Sequence, residues 1–268
     1  MAEQKSEIRD QKKVTAYFHK AFTVSLLSAI CSLICAPIGA YVPGHFYHTG
    51  KTSEKVIALT FDDGPGKFTI PILELLKQHQ IRATFFLLGD QIEEYPDIAR
   101  QVIAAGHEVG NHTYGHFDYH LVKNSAPKRL EHELVQTEAT LQRAAGVHTK
   151  IVRMPYGYYN KTWLMPLLKE HGYALVHWTF GEDWKRSIPA DQMIHDYIAA
   201  AKPGAVFLFH DGGRHREKTL QVVTAVVEAL EKKGYRFICA EEMFNTVDTS
   251  QKPNTDSVVT PAKARVQP

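Results

Sequence analysis

Apolar residues in this chain fall into seven short runs, separated by longer stretches in which apolar positions recur at helical spacing. The runs are Val56–Phe61, Ala83–Leu88, Glu108–Asn111, Lys150–Arg153, Ala174–Trp178, Ala205–Phe209 and Arg236–Cys239. Each has the length of a strand, and most have the composition of one buried on both faces. Helical patterns occupy Ile70–His79, Pro96–Ala105, Pro127–Ala145, Thr162–His171, Pro189–Ala201 and Glu217–Lys233. Several begin after a Pro or end in a Gly, such as Gly106, Gly146, Gly172 and Gly234, as helix capping favours. Strands separated by helices pair in parallel through right-handed crossovers. Seven such units without a break predict an α/β fold, a deformed (β/α) barrel of about seven parallel strands in a single domain spanning residues 54–245. An open doubly wound sheet is the alternative. No GxGxxG loop follows the first strand, so a dinucleotide site is not expected.

The flanks read differently. In residues 1–42, Arg9, Lys12, Lys13 and Lys20 precede an uncharged run from Ala21 to Val42. Basic residues ahead of an apolar run set a cytoplasmic N-terminus, and this run is long enough to span a bilayer. Pro37, Gly39 and Ala40 near its end resemble a signal-peptide cleavage region. The expectation is an extracytoplasmic body, either secreted after cleavage or held to the membrane by an uncleaved anchor. Residues 43–53 read as a linker. Residues 246–268, rich in Thr, Ser, Pro, Asn and Lys, read as a disordered tail.

Charge narrows the partners. The net charge is +2, and the first 40 residues hold five of the 31 Lys/Arg and three of the 29 Asp/Glu, so the remainder is balanced. A neutral body is not expected to bind nucleic acid, which requires a basic face. Cys31 and Cys35 lie in the N-terminal run, and Cys239 alone lies in the body, where its apolar surroundings mark it as a core residue.

Candidate chemistry gathers at the strand ends, where barrels place their active sites. Asp62 and Asp63 follow the first strand in TFDDGP, and Gly64-Pro65 then turns the chain. Neighbouring strand residues face opposite sides, so the two carboxylates are expected to take different roles, one holding a cation and the other moving a proton. His112 and His116 follow the third strand at i, i+4 spacing, which on a helical turn faces two imidazoles the same way. Among fifteen His such a pair is weak evidence, and His116 and His120 share the spacing. Joined to Asp63, the pair makes a His-His-carboxylate set that suits catalytic zinc and equally a non-haem iron. Arg153 ends the fourth strand, either as a rim cap or as a clamp that keeps Asp62 ionised. His210 ends the sixth, either as a packed core residue or as a proton donor near neutral pH. Asp183, after the fifth strand, would then hold its charged form.

Taken in order, TFDDGP, HEVGNHTYGH, RMPYG, the EDW of GEDWKRS, and LFHDG resemble the five motifs of the polysaccharide deacetylases, the nodulation-protein-B homology family of carbohydrate esterases. The resemblance covers roughly 55–244. It implies a single catalytic domain with a deformed βα barrel that hydrolyses N-acetyl groups on an acetylated aminosugar polymer, such as peptidoglycan or a chitin-like glycan. It implies Asp62 as catalytic base, His210 as catalytic acid tuned by Asp183, and Arg153 positioning Asp62. Asp63, His112 and His116 would bind a divalent metal ion, zinc foremost, with cobalt or manganese as alternatives. The Tyr156 backbone N–H would stabilise the oxyanion. Trp184, Trp178 and Phe117 would line a sugar groove, or simply pack. One departure stands out: Phe180 occupies a position where the family often has a second Asp.

Overall fold

The computed structural model describes residues 41–122, 126–213 and 215–245. The basic-apolar N-terminal segment through Ala40 and the expected tail at 246–268 lie outside the described residues. Among the described residues no helix is long and apolar enough to cross a membrane.

Eight strands form one sheet in which every pairing is parallel. They are β1 (Phe46–Tyr47), β2 (Val56–Gly64), β3 (Thr84–Leu87), β4 (Glu108–Asn111), β5 (Ile151–Val152), β6 (Ala174–Val176), β7 (Ala205–His210) and β8 (Arg236–Ile238). The order is β1-β6-β5-β4-β3-β2-β7, with β8 against the start of β2. Among the described residues eight α-helices accompany them: α1 (Thr69–Gln78), α2 (Gly89–Glu94), α3 (Pro96–Ala104), α4 (Ala126–Ala145), α5 (Leu164–Glu170), α6 (Ala190–Ala200), α7 (Glu217–Lys232) and α8 (Ala240–Asn245).

The seven expected strands are all present. Residues 43–53, which the sequence reads as a linker, instead contribute β1, whose Phe46 and Tyr47 pair with Leu175 and Val176. A two-residue strand is too short to leave a periodic signal. Beyond β6 the chain crosses to β7: Thr179 N–H donates to the Val206 carbonyl at 2.8 Å and Leu208 N–H to the Phe180 carbonyl at 2.9 Å. This short bridge between Phe180 and Phe207 brings the two ends of the sheet together as a deformed barrel.

Alternation along β2 explains how the core is divided. Ile57, Leu59 and Phe61 join a cluster with residues of α1, α3, α6 and α7 on the outside of the sheet. Val56 and Ala58 join a second cluster with Phe86, Ile151, Val176 and Val206, closed at one end by Ala240, Met243 and Phe244 of α8. Thr60 and Asp62 share the parity of the second set and so face the barrel interior at its C-terminal mouth. Phe180 sits edge-on to Tyr197, with ring centroids 4.8 Å apart, so this position serves the barrel wall.

Phe207 is fully buried and packs against Phe180 and Tyr197 at the closure. Phe207→Ala is expected to destabilise the fold by about 3–5 kcal/mol. A urea midpoint shifted by the equivalent of less than about 1 kcal/mol would show that the closure does not depend on this ring.

Candidate metal centre and active site

The site is built around a break in β2. Register with β3 shifts between Asp62 and Gly64, and Asp63 has φ 71, a left-handed conformation uncommon for a side chain other than Gly. Strict alternation would send Asp63 away from Asp62. The kink instead turns both carboxylates to one mouth: His112 Nε2 lies 3.8 Å from Asp62 Oδ2 and 3.4 Å from Asp63 Oδ1. Their different roles therefore come from their partners and not from opposite faces.

Asp62 is held by Arg153, whose side chain is completely buried. Its Nη1 donates to Asp62 Oδ1 at 2.9 Å and to Thr60 Oγ1 at 2.7 Å. Its Nε donates to the Val176 carbonyl at 3.1 Å and its Nη2 to the His177 carbonyl at 3.2 Å. The guanidinium lies 4.1 Å from the Phe86 ring centroid. Arg153 is thus a clamp within the barrel, not a cap on its rim.

Asp63, His112 and His116 form the other half. Their candidate ligand atoms all lie within 4.8 Å of one another, and His116 Nε2 is 3.2 Å from Asp63 Oδ1. His112 Nδ1 lies 2.7 Å from the Arg153 carbonyl, which can only accept, so Nδ1 carries the hydrogen and Nε2 presents a lone pair. Asp63 Oδ1 is buried with no hydrogen-bond donor assigned to it. A buried carboxylate oxygen and an imidazole lone pair facing each other fit a divalent cation, and this N,N,O set suits zinc among other ions. The electrostatics agree. Burial resists ionisation of Asp63, yet the contact with His112 and the imidazoles of His210 and His116 hold its carboxyl well below the usual range. Burial likewise pulls His112 down, but Asp62 and Asp63 outweigh it and raise its proton affinity, so this point favours positive charge. Burial and the neighbouring His112 push His116 down, toward the neutral form that ligates.

The two imidazoles do not converge on a helical turn, as their spacing suggests. They sit in a loop after β4 with left-handed residues at Thr113 (φ 70) and His116 (φ 52). Asn111 Oδ1 accepts from Thr113 N–H at 2.9 Å, and Glu133 of α4 accepts from Gly115 N–H at 3.1 Å. These contacts fix the loop.

Across the mouth, register pairs Asp62 with His210 of β7. His210 Nδ1 lies 2.8 Å from Asp183 Oδ1, while Asp183 Oδ2 accepts from the His210 N–H at 2.9 Å and the Thr219 hydroxyl at 2.8 Å. Burial opposes charge on His210, but the Asp183 carboxylate and its hydrogen bond push the imidazole up to about 9. Tyr156 has φ 56, and its ring lies 4.7 Å from that of His116. Trp184 is 41% exposed, 5.4 Å from the His210 ring and 6.5 Å from Trp178. Phe117 does not join this aromatic pair; it lies under Arg129 at 3.6 Å and edge-on to Tyr119, which is packing against α4.

Two further residues reach the site: Arg216, outside every motif, and Asp211, inside LFHDG. Arg216 Nη2 lies 3.3 Å from Asp63 Oδ2, and its Nε donates to the Gly212 carbonyl at 2.8 Å. Asp211, fully buried, accepts from the Thr69 hydroxyl; burial foremost, with Asp63 nearby, pushes its carboxyl up to about 7. Arg216 follows the last motif by several residues. Only the turn into α7 returns it to the site.

A family model described as polysaccharide deacetylase matches residues 49–176. The chain is 35% identical over 201 residues to a peptidoglycan-N-acetylglucosamine deacetylase of Bacillus cereus, covering 74% of this chain and 71% of that one. It is 32% identical over 193 residues to a chitooligosaccharide deacetylase of Bradyrhizobium sp., covering 67% and 86%. Among solved structures, the Bc1960 peptidoglycan N-acetylglucosamine deacetylase superposes with a TM-score of 0.69 at 33% identity, covering 76% of this chain and 94% of that one. A CE4 family pseudoenzyme from Bacillus anthracis also superposes, with a TM-score of 0.67 at 25% identity, covering 75% and 69%.

His112→Ala is expected to weaken divalent-metal binding while leaving the far-ultraviolet circular dichroism intact; metal uptake equal to the parent by elemental analysis would exclude His112 as a ligand. Gly212→Ala is expected to lose metal by a different route. Its new Cβ would lie 1.7 Å from the Asp63 carbonyl oxygen and must displace that ligand's backbone.

Proposed function

This chain belongs to the polysaccharide deacetylase family, and we propose that it hydrolyses N-acetyl groups from N-acetylglucosamine units of an extracytoplasmic polysaccharide, foremost peptidoglycan, with zinc as its metal. The observation that carries the reading is the paired arrangement at one mouth: Asp62 clamped by Arg153, and His210 clamped by Asp183 on the adjacent strand. The similarity to peptidoglycan and chitooligosaccharide deacetylases supports the substrate class. The basic-apolar N-terminus, retained as an anchor or cleaved, supports a place outside the cytoplasm.

The residues divide the work by their partners. Arg153 occupies Asp62 Oδ1, which leaves Oδ2 to take a proton from the attacking water. His210 is engaged at Nδ1 by Asp183, so Nε2 is the nitrogen that delivers a proton to the departing amine. The Asp183 carboxylate outweighs the burial that opposes charge and keeps that donor charged through neutral pH. The Tyr156 N–H, in its left-handed turn beside His116, is the proposed donor to the developing oxyanion. Asp63, His112 and His116 would hold the cation, which when bound would supply acidity to a water and polarisation to the acetamide carbonyl. A non-catalytic reading has a precedent in the pseudoenzyme neighbour. The base, ligand and acid residues present here, each with its supporting contact, favour turnover.

Purified protein is expected to release acetate from peptidoglycan or N-acetylated chitooligosaccharides, to stop with chelator, and to recover with zinc. Asp62→Asn is expected to lower kcat by about 10²–10⁴-fold while keeping the metal. Retained turnover would remove Asp62 as base.

The pH profile tests the acid. Because His210 is raised from the ordinary 6.5 to about 9, the imidazolium persists through neutrality and activity declines as pH rises through about 9. The stability this pair adds is full below 6.5 and is lost over the same rise. Asp183→Asn is expected to move the alkaline limb toward the ordinary imidazole range. An unmoved limb would assign it to another group.

A further inference from the structure

The loop after β6 and the first turn of α7 enclose a cavity of about 630 Å³ beside His210. Trp184, Arg186, His215, Arg216 and Lys218 line it, together with Asp183 and Glu217. Most of these charges are committed. Asp183 is engaged by His210 and Thr219. Lys218 Nζ donates to the carbonyls of Lys185, Arg186 and Ile188 at 3.2, 3.3 and 2.9 Å, and so fixes the loop that carries Arg186. Arg216 is anchored to Gly212 and Asp63.

Arg186 differs from its neighbours. It is exposed, and its guanidinium has no hydrogen-bond or ion-pair partner among the described residues. Three cations therefore share the cavity with one uncommitted acid, Glu217. Trp184 adds an exposed aromatic face within contact of His210. A free planar cation beside an aromatic face suits a sugar ring that bears a carboxylate. Because Trp184 borders the catalytic acid, the cavity is placed for the neighbour of the sugar that reacts.

Resting on the deacetylase reading, we propose that this cavity is a subsite for a carboxylate-bearing sugar adjacent to the N-acetylglucosamine that loses its acetyl group, with Arg186 meeting the carboxylate and Trp184 the ring. In peptidoglycan strands freed of their stem peptides every second sugar carries a free lactyl carboxylate, which an attached peptide converts to a neutral amide, whereas chitin is neutral throughout. The subsite therefore selects peptide-free glycan strands.

The test compares a peptide-free peptidoglycan tetrasaccharide with the N-acetylated chitin tetrasaccharide on the full-length protein. Binding is read by tryptophan fluorescence and acetate release is read separately. The carboxylated oligomer is expected to bind about tenfold more tightly at low salt, the advantage shrinking as salt rises. Arg186→Gln is expected to reduce that ratio to near one, and Lys232→Gln, at the far end of α7, to leave it unchanged. Equal binding of the two oligomers by the parent, or a ratio preserved in Arg186→Gln, overturns the subsite. Selective binding that depends on Arg186, with no acetate released from either oligomer, refutes the deacetylase reading and leaves the carboxylate subsite standing.

Discussion

Asp62 and Arg153 place opposite charges inside the barrel mouth, where neither can keep its water. Burying an ion pair is costly, and attraction alone seldom repays it. Here the cost is met by acceptors supplied from two distant parts of the chain: Thr60 and Asp62 from β2, and the carbonyls of Val176 and His177 at the end of β6. Arg153 itself leaves β5, and its own carbonyl receives the His112 ring. One side chain and its backbone thus tie β2, β5 and β6 together and orient both the base and a metal ligand. Removing the guanidinium would leave Asp62 buried without its counter-ion, a loss of about 3–5 kcal/mol in comparable buried pairs. The geometry of the mouth depends on this contact more than on any apolar one.

Much of this was legible in the sequence because buried parallel strands are short, nearly continuous apolar runs, and a barrel puts chemistry at their ends. Val56–Phe61 and Ala205–Phe209 mark the starts of β2 and β7, which run on by three residues and one residue. The elements that escaped notice, β1, α2 and α8, span two, six and six residues and carry too few positions to show a period. Spacing also misled where the backbone leaves regular geometry. Asp62 and Asp63 share a mouth because of a left-handed kink, and His112 and His116 meet through a loop with two positive φ values. Period arguments hold only within an element, and functional residues cluster where elements end. Arg216 illustrates the remainder. Nothing local marks it, and its contact with Asp63 spans 153 residues of chain.

The same physics divides two adjacent carboxylates into separate roles. Asp62 faces a permanent cation that no accessible pH can neutralise. Asp63 turns Oδ1 to two imidazoles whose lone pairs can be shared with a metal, while Arg216 meets its Oδ2. The acid follows the complementary rule. His210 is part-buried, and the adjacent Asp183 more than offsets the burial that opposes its charge. Base and acid, on neighbouring strands, are therefore each held in place by a buried partner of opposite sign.

This separation of roles also explains why a catalytically silent relative can share the architecture. The two main clusters, Ile57, Leu59 and Phe61 outside the sheet and Val56, Ala58 and Phe86 within it, contain none of the site's ionisable groups. Substitution at the mouth can abolish chemistry while the barrel persists, and a TM-score by itself carries no statement about turnover. In this chain a partner stands behind each ionisable group at the mouth: Arg153 behind Asp62, Asp183 behind His210, and the Arg153 carbonyl behind His112. These contacts, and not the fold shared with a silent neighbour, favour turnover here.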